Sequence, residues 1–318
     1  MWRLSASRSL KFLAVLVVLL LFAQVLQNSV KKDPAKSNPA KYQGHLLPPL
    51  PCRYLLNQAE LCRDRTPFLV FMVPVAPRDV AAREAIRKTW GAPSPDTLTL
   101  FFTGLQETGD LRPIQKELEH ESRLHEDIIQ MDFMDSYQNL TLKTLMMMKW
   151  LGSHCPNTPF AMKVDADIFV NVFHLKYRLR TSPTQSFITG SVIWDGRPRR
   201  DPSSKWYLSK DMYPEDSFPP YVSGPGYVFS SDLAGRISWA SRSVQLIPME
   251  DVYVGLCLRV LGVRPVYSRS LFFLRNLFEI RKLDYDRCTF AGLIIVNNFE
   301  PSELLRVWPD FFKGHAHC

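Results

Sequence analysis

Between Phe68 and Asp165 the chain alternates short apolar runs with amphipathic stretches, and that alternation leaves few folds open. Phe68 to Val75 (FLVFMVPV) is a continuous apolar run of strand length, and Asp79 to Trp90 (DVAAREAIRKTW) reads as a helix capped by Asp79. Leu98 to Thr103 predicts a second strand, Arg112 to Leu124 a charged helix, and Asp127 to Met131 (DIIQM) a third strand. Ser136 opens another helix, in which Leu140, Thr144, Met147, Met148 and Leu151 recur on one face of a 3.6-residue period. The fourth strand, Phe160 to Asp165 (FAMKVD), ends in acid. Strands alternating with helices predict a mostly parallel, three-layer α/β domain, and such sheets bind ligands at the carboxyl ends of their strands. Prolines and aromatics from Trp194 to Tyr227 predict a less regular second half, with a strand at Tyr221 to Ser230, suited to the acceptor wall of a cleft.

Ahead of this region, Phe12 to Leu26 (FLAVLVVLLLFAQVL) is fifteen residues with Gln24 as the lone polar member, preceded by Arg3, Arg8 and Lys11. A spanning helix takes about 20 apolar residues, and a run this short suits a secretory signal equally. Leu21, two places before the small residue Ala23, makes a poor cleavage site and favours an uncleaved anchor with the N-terminus in the cytosol. Val30 to Pro51 carries Pro34, Pro39, Pro48, Pro49 and Pro51 without helical or strand periodicity, as a stem would. The expected division is a cytoplasmic tail at 1–11, a transmembrane signal anchor at 12–26, a stem at 27–51 and one lumenal domain at 52–318. Of the net charge of +8, +6 belongs to residues 1–50, which leaves a near-neutral body with no footprint for nucleic acid. In an oxidising lumen six cysteines could form three bridges; proximity and order pair Cys52 with Cys62 and Cys257 with Cys288. Asn139-Leu140-Thr141 is the one glycosylation sequon, because Pro159 disqualifies Asn157.

Dinucleotide, P-loop and α/β-hydrolase readings lose their support, since no GxGxxG, Walker loop or GxSxG appears. Met146 to Met148 reads as core filler. Carboxylates carry the chemistry instead. Asp165 and Asp167 close the fourth strand, where at i and i+2 in extended chain both side chains point the same way; two hard oxygens there suit Mn²⁺ or Mg²⁺. Asp284-Tyr285-Asp286 has the same spacing without an apolar strand before it, and reads as a solvated acidic turn. Glu250-Asp251 opens an apolar helix after Pro248. These two serve either as anions at a helix N-terminus or as a general base poised to take a hydroxyl proton. None of the seven histidines is placed as a base.

Five blocks, REAIRKTW (Arg83 to Trp90), DIIQMDFMDSYQNLTLKT (Asp127 to Thr144), KVDADIFVN (Lys163 to Asn171), YVSGPGYVFS (Tyr221 to Ser230) and EDVYVGLCL (Glu250 to Leu258), follow in an order that resembles the β-1,3-galactosyltransferases over about residues 52–318. The resemblance implies a Golgi type II membrane enzyme with a single lumenal catalytic domain of GT-A type, a Rossmann-like mostly parallel sheet flanked by helices. It implies UDP-galactose as donor, a terminal GlcNAc-type or GalNAc-type sugar on a glycoprotein or glycolipid as acceptor, and Mn²⁺, with Mg²⁺ possible. Asp167 and Asp165 match the metal and diphosphate motif, and Asp251 the catalytic base of a single-displacement inversion. Arg83 and Arg87 fall at the nucleotide end, where a plain helix-surface role is equally open. Glu250, Tyr221, Gly224 and Gly226 fall on the acceptor side, and Asn139 is the expected glycosylation site.

The sequence also departs from the family pattern. Asn297 stands nine residues after Cys288, where the family carries a histidine that closes the metal site. An amide oxygen there still suits Mn²⁺ but holds it more weakly. Val222 replaces a usual Cys, leaving Cys155 or another cysteine unpaired, while Pro225 and Ser231 replace a usual Thr and Gly. These changes keep two alternatives open, a UDP-GlcNAc-using β-1,3-N-acetylglucosaminyltransferase and a non-catalytic sugar-nucleotide-binding relative.

Overall fold

The computed structural model describes residues 53–106, 111–269 and 276–318. The tail, anchor and stem expected at 1–51, and Cys52, lie outside the described residues. Among those described, no helix is long and apolar enough to cross a membrane.

The apolar runs form the centre of the main sheet. β1 is Tyr54–Leu56, β2 Leu69–Pro74, β3 Thr97–Gln106, β4 Ile128–Asp135, β5 Phe160–Val164, β6 Phe169–Val170, β7 Ile188–Ile193, β8 Tyr221–Ser230 and β9 Val266–Tyr267. Eight of these strands order as β1-β4-β3-β2-β5-β8-β7-β9. Strands β4, β3, β2 and β5 run parallel, while β8 pairs antiparallel with both β5 and β7. Every residue of β5 is buried, as is every residue of β2 except Pro74. Unbroken apolar runs are what a sheet covered on both faces requires.

The helices are α1 Val80–Arg87, α2 Leu111–His125, α3 Leu140–His154, α4 Val172–Leu179, α5 Asp232–Ala240, α6 Glu250–Leu261, α7 Arg287–Ala291 and α8 Pro301–Gly314. Apolar clusters fill both faces of the sheet, one holding Met146, Met147, Trp150 and Ile237, the other Phe71, Phe169, Phe290 and Phe311. A small second sheet orders β10 (Phe278–Glu279), β11 (Ile295–Val296) and β6.

Several expectations change in detail. Asp79 occupies the N-cap of α1 without a side-chain hydrogen bond, and the helix stops at Arg87. The segment from Ser136 begins as a 3₁₀ turn, Tyr137–Asn139, before α3 starts at Leu140. Helix α3 is buried nearly all round, Lys143 and Met146 to Met148 included, because it lies between the sheet and α5 and α6. The three methionines are core, as read.

The disulfide pairing is corrected. Cys62 bonds Cys155, 93 residues away, and Cys288 bonds Cys318, so neither Cys52–Cys62 nor Cys257–Cys288 can form. Cysteine neighbours in sequence lie on different elements here: Cys62 follows β1, which the antiparallel pairing with β4 brings towards the end of α3. Among the described residues Cys257 is the unpaired thiol and is buried, where the resemblance had left Cys155 or another cysteine alone.

Candidate active site

The strand that carries the acidic pair contains one lysine in an otherwise apolar run, FAMKV. Lys163 is 3% exposed, and its ammonium needs partners at such depth. It has three: Asp165 Oδ1 at 2.7 Å, Glu250 Oε1 at 2.9 Å and the Gly224 carbonyl at 2.5 Å. Burial works against its charge, yet Asp165 and Glu250 outweigh burial and hold its pKa above the lysine range. Lys163 is therefore a permanent cation at the junction of β5, β8 and α6.

Asp165 and Asp167 do not sit on extended chain. Strand β5 ends at Val164, and Ala166–Asp167 form a turn before β6. Asp165 is turned towards Lys163, whereas Asp167 is exposed. Although the residue is exposed as a whole, partial desolvation of its carboxyl group and then the charge of Asp165 raise the Asp167 pKa above its ordinary value. A carboxyl group raised by a neighbour's negative charge is relieved by a cation. The turn is anchored from behind: Trp90 donates its indole N–H to the Ile168 carbonyl at 2.9 Å, and Phe299 N–H donates to the Asp167 carbonyl at 2.8 Å.

Asn297 belongs to the same corner. Val296 pairs antiparallel with Phe169, so one step further brings Asn297 level with Ile168, beside Asp167. Its side-chain oxygen is buried without a hydrogen-bond partner. An orphaned amide oxygen is a hard donor of the kind Mn²⁺ or Mg²⁺ takes, on the strand that pairs with the segment following Asp167. Among the described residues no group of three or more His, Cys, Asp or Glu side chains offers an alternative metal centre.

Glu250 and Asp251 form the first turn of α6, and their two carboxyl groups do different work. Glu250 is 8% exposed; besides Lys163 it accepts from the Tyr227 hydroxyl at 3.1 Å and from Thr144 at 3.4 Å. Burial, opposed by Lys163 and assisted by Asp251, pushes its pKa up to about 7. Asp251 accepts from its neighbour Val252 N–H at 2.8 Å and from Gly224 N–H at 3.3 Å. Burial raises its pKa against those donors, which brings a carboxylate closer to the range of an effective base.

Gly224 lets this happen, since a Cβ there would come within 3.0 Å of Glu250 Oε1. Gly226 faces away, with its missing Cβ leaving room for Ile295 of β11. Asp165, Lys163, Tyr221, Gly224, Glu250 and Asp251 line one cleft of about 960 Å³. No histidine lines it.

Arg83 and Arg87 take a structural part. Arg83, fully buried, bonds both oxygens of Glu121 at 2.8 and 2.6 Å and donates to the carbonyls of Ala76 and Pro77 in the loop after β2. Arg87 bonds Asp127 through two nitrogens at 2.8 Å and Glu121 at 2.7 Å. Their guanidinium groups fasten α1 to α2 and β4 rather than covering a helix surface. Asp286 accepts from Thr289 N–H as the N-cap of α7, in keeping with an acidic turn. Asn139 precedes α3 and donates to the Met134 carbonyl at 2.8 Å, while the hydroxyl of Thr141, 2% exposed, donates to the Ile247 carbonyl at 2.7 Å.

Sequence reasoning passed over Lys163 and Lys143. The signal was there, a lysine within an apolar strand and another within an apolar helix. Lys143 is 2% exposed and joins Asp135 at 2.8 Å to the Val75 carbonyl at 3.0 Å, tying the carboxyl ends of β2 and β4 together.

The model of the Galactosyltransferase family matches residues 81–269, a span that includes β2's following helix, the acidic turn and α6. The chain belongs to the galactosyltransferase family. Relatives of this galactosyltransferase-family chain agree: Beta-1,3-galactosyltransferase 1 of Mus musculus is 40% identical over 274 residues, covering 83% of this chain and 80% of the relative. The Homo sapiens protein of the same name matches equally. Beta-1,3-galactosyltransferase 2 of Mus musculus is 39% identical over 276 residues, and the chain spans 64% of that relative, under two thirds of its length. Among solved structures, mouse Xyloside xylosyltransferase 1 in its apo form aligns at 10% identity and a TM-score of 0.33, covering 73% of this chain and 97% of that one.

Proposed function

We propose that the protein is an inverting β-1,3-galactosyltransferase that moves galactose from UDP-galactose to the 3-hydroxyl of a terminal GlcNAc-type or GalNAc-type sugar, on a glycoprotein or glycolipid. The observation that carries this reading is one cleft lined by both Asp165 and Asp251, with Lys163 bonded to Asp165 and to Glu250, the neighbour of Asp251. In it, Asp251 takes the proton of the acceptor hydroxyl as that oxygen attacks the anomeric carbon from the face opposite UDP. Gly224 N–H and Val252 N–H hold the carboxylate in place while it does so. Lys163, always charged, offsets the crowd of acids at the floor.

Asp167, Asp165 and Asn297 would hold Mn²⁺ or Mg²⁺, and Lewis-acid assistance to the diphosphate leaving group is what that ion supplies when bound. Arg83 serves the nucleotide end by fixing the loop after β2, and Arg87 by holding Glu121, the acid that Arg83 also bonds. The compartment in this reading is the Golgi, with a GT-A domain in the lumen behind a single type II anchor. Acceptor-dependent UDP release from UDP-galactose, measured across GlcNAc- and GalNAc-terminated acceptors, tests it. Release from UDP-GlcNAc instead, or from neither donor, would overturn it.

A further inference from the structure

We propose that the outer wall of the cleft is built for an acceptor sugar that carries an anionic group, a sulfate ester or a carboxylate, near the attacked hydroxyl; this rests on the galactosyl-transfer reading above. The floor is acidic, with Asp165, Glu250 and Asp251 set against Lys163. The wall formed by the loop between β7 and β8 has the opposite character. Arg197, Arg199 and Lys205 line the same cleft and are exposed, with Asp195 as the carboxylate beside them.

Other cations of that region are spent on the fold. Arg200 donates to the carbonyls of Leu208, Tyr213 and Glu215 at 2.7 to 2.8 Å, and Lys210 pairs with Asp216 at 3.0 Å. Among the described residues, Arg197, Arg199 and Lys205 make no side-chain hydrogen bond or ion pair. The loop thus separates its cations into those that hold its shape and those that face the cleft.

Two observations put the free charges at the acceptor's end. The loop packs so closely on Tyr221 that a Cβ at Gly196 would come within 2.7 Å of its ring, which sets the segment from Asp195 to Arg199 beside Tyr221 in the cleft that Asp251 lines. Lys205 lies over the rings of Trp206 at 4.5 Å and Tyr137 at 5.9 Å. Tyr137 follows β4 on the opposite wall, so the ammonium is held at the mouth instead of swinging in solvent. A neutral sugar has use for the exposed aromatic faces of Trp206 and Tyr137 but none for three unpaired cations. The donor diphosphate, the other anion in the reaction, belongs with Asp165 and Asp167.

Calorimetric titration of the full-length chain, saturated with UDP and Mn²⁺, tests this with three probes: p-nitrophenyl β-GlcNAc, its 6-O-sulfate, and the p-nitrophenyl glycoside of GlcNAc linked to glucuronic acid. One anionic probe is expected to bind about tenfold more tightly than the neutral one, an advantage that shrinks with salt. Which probe gains distinguishes sulfate from carboxylate. The triple variant R197Q/R199Q/K205Q is expected to erase the advantage. Equal affinity for all three probes overturns the proposal, and so does a loss of UDP affinity in the triple variant, since the cations would then serve the donor. UDP release with the neutral probe in the same samples reports separately on the transfer reading.

Discussion

The ammonium of Lys163 lies 2.9 Å from Glu250 Oε1, while its other contacts reach Asp165 and the Gly224 carbonyl. One buried cation thereby joins the strand end that carries the acidic pair, strand β8 and the helix that starts with Glu250. The spacing between the two chemical ends of the cleft depends on it.

Replacing Lys163 by Met should therefore destabilise the chain by about 3 kcal/mol, because Glu250 would remain buried without its counter-charge while the half-exposed Asp165 turns to solvent. Urea denaturation at neutral pH measures this. A loss below about 1 kcal/mol, the range of exposed ion pairs, would show that the lysine contributes no more than a surface contact.

Asp251→Asn keeps the shape of the carboxylate and can still accept from Gly224 N–H, but it cannot take a proton. Turnover should fall about 10²–10⁴-fold, the usual worth of a positioned base. UDP affinity, read by titration of the same preparation, should stay near that of the parent chain if, as proposed, the nucleotide binds at the Asp165–Asp167 end. Unchanged turnover would remove Asp251 from the role of base.

Glu250 gives stability a pH dependence whose sign follows from its burial. Its pKa rises from an ordinary 4.5 to about 7 in the folded chain. Between those values the folded state retains a proton that the unfolded state releases, so this group's contribution to stability falls as pH rises through the window. Comparing urea midpoints at about pH 5 and about pH 8 should show a smaller pH-dependent drop in Glu250→Gln than in the parent chain. An identical drop in both would mean that Glu250 does not titrate there.

Asn297→Ala removes the orphaned oxygen proposed to meet the ion with Asp167. The Mn²⁺ concentration that half-saturates UDP binding should rise about tenfold, and Asn297→His should lower it below the parent value. Both are measurable by titrating Mn²⁺ and following free ion by electron paramagnetic resonance. No difference among the three proteins would take residue 297 out of the ion's reach.

The central sheet was legible because its strands are buried on both faces, and continuous apolar runs such as Leu69–Pro74 report that directly. The helix of Glu250 was equally plain from its apolar period. The disulfides were not, because Cys62 meets Cys155 only after strand pairing brings β1 beside β4, and order along the chain carries no trace of that. The extended geometry expected for Asp165 and Asp167 failed for a related reason. Residue spacing gives the period of a strand but does not say where the strand stops, and β5 stops at Val164. Arg83 and Arg87 were noticed for their charge, yet Glu121 and Asp127, 38 and 40 residues further on, decide what those charges do.

Thr141 adds a matter of timing. Its hydroxyl is bonded to the Ile247 carbonyl and shut from solvent in the folded chain, while the amide of Asn139 is turned onto Met134. An enzyme that attaches a glycan at this sequon must reach both side chains at once, and folding withdraws the Thr141 hydroxyl. Occupancy at Asn139 would therefore be settled by a race between modification and closure of α3 against the α5–α6 connection. A variant that folds slowly should carry more sugar than one that folds fast, and protein refolded without the glycan would stay bare however long the modifying enzyme is present.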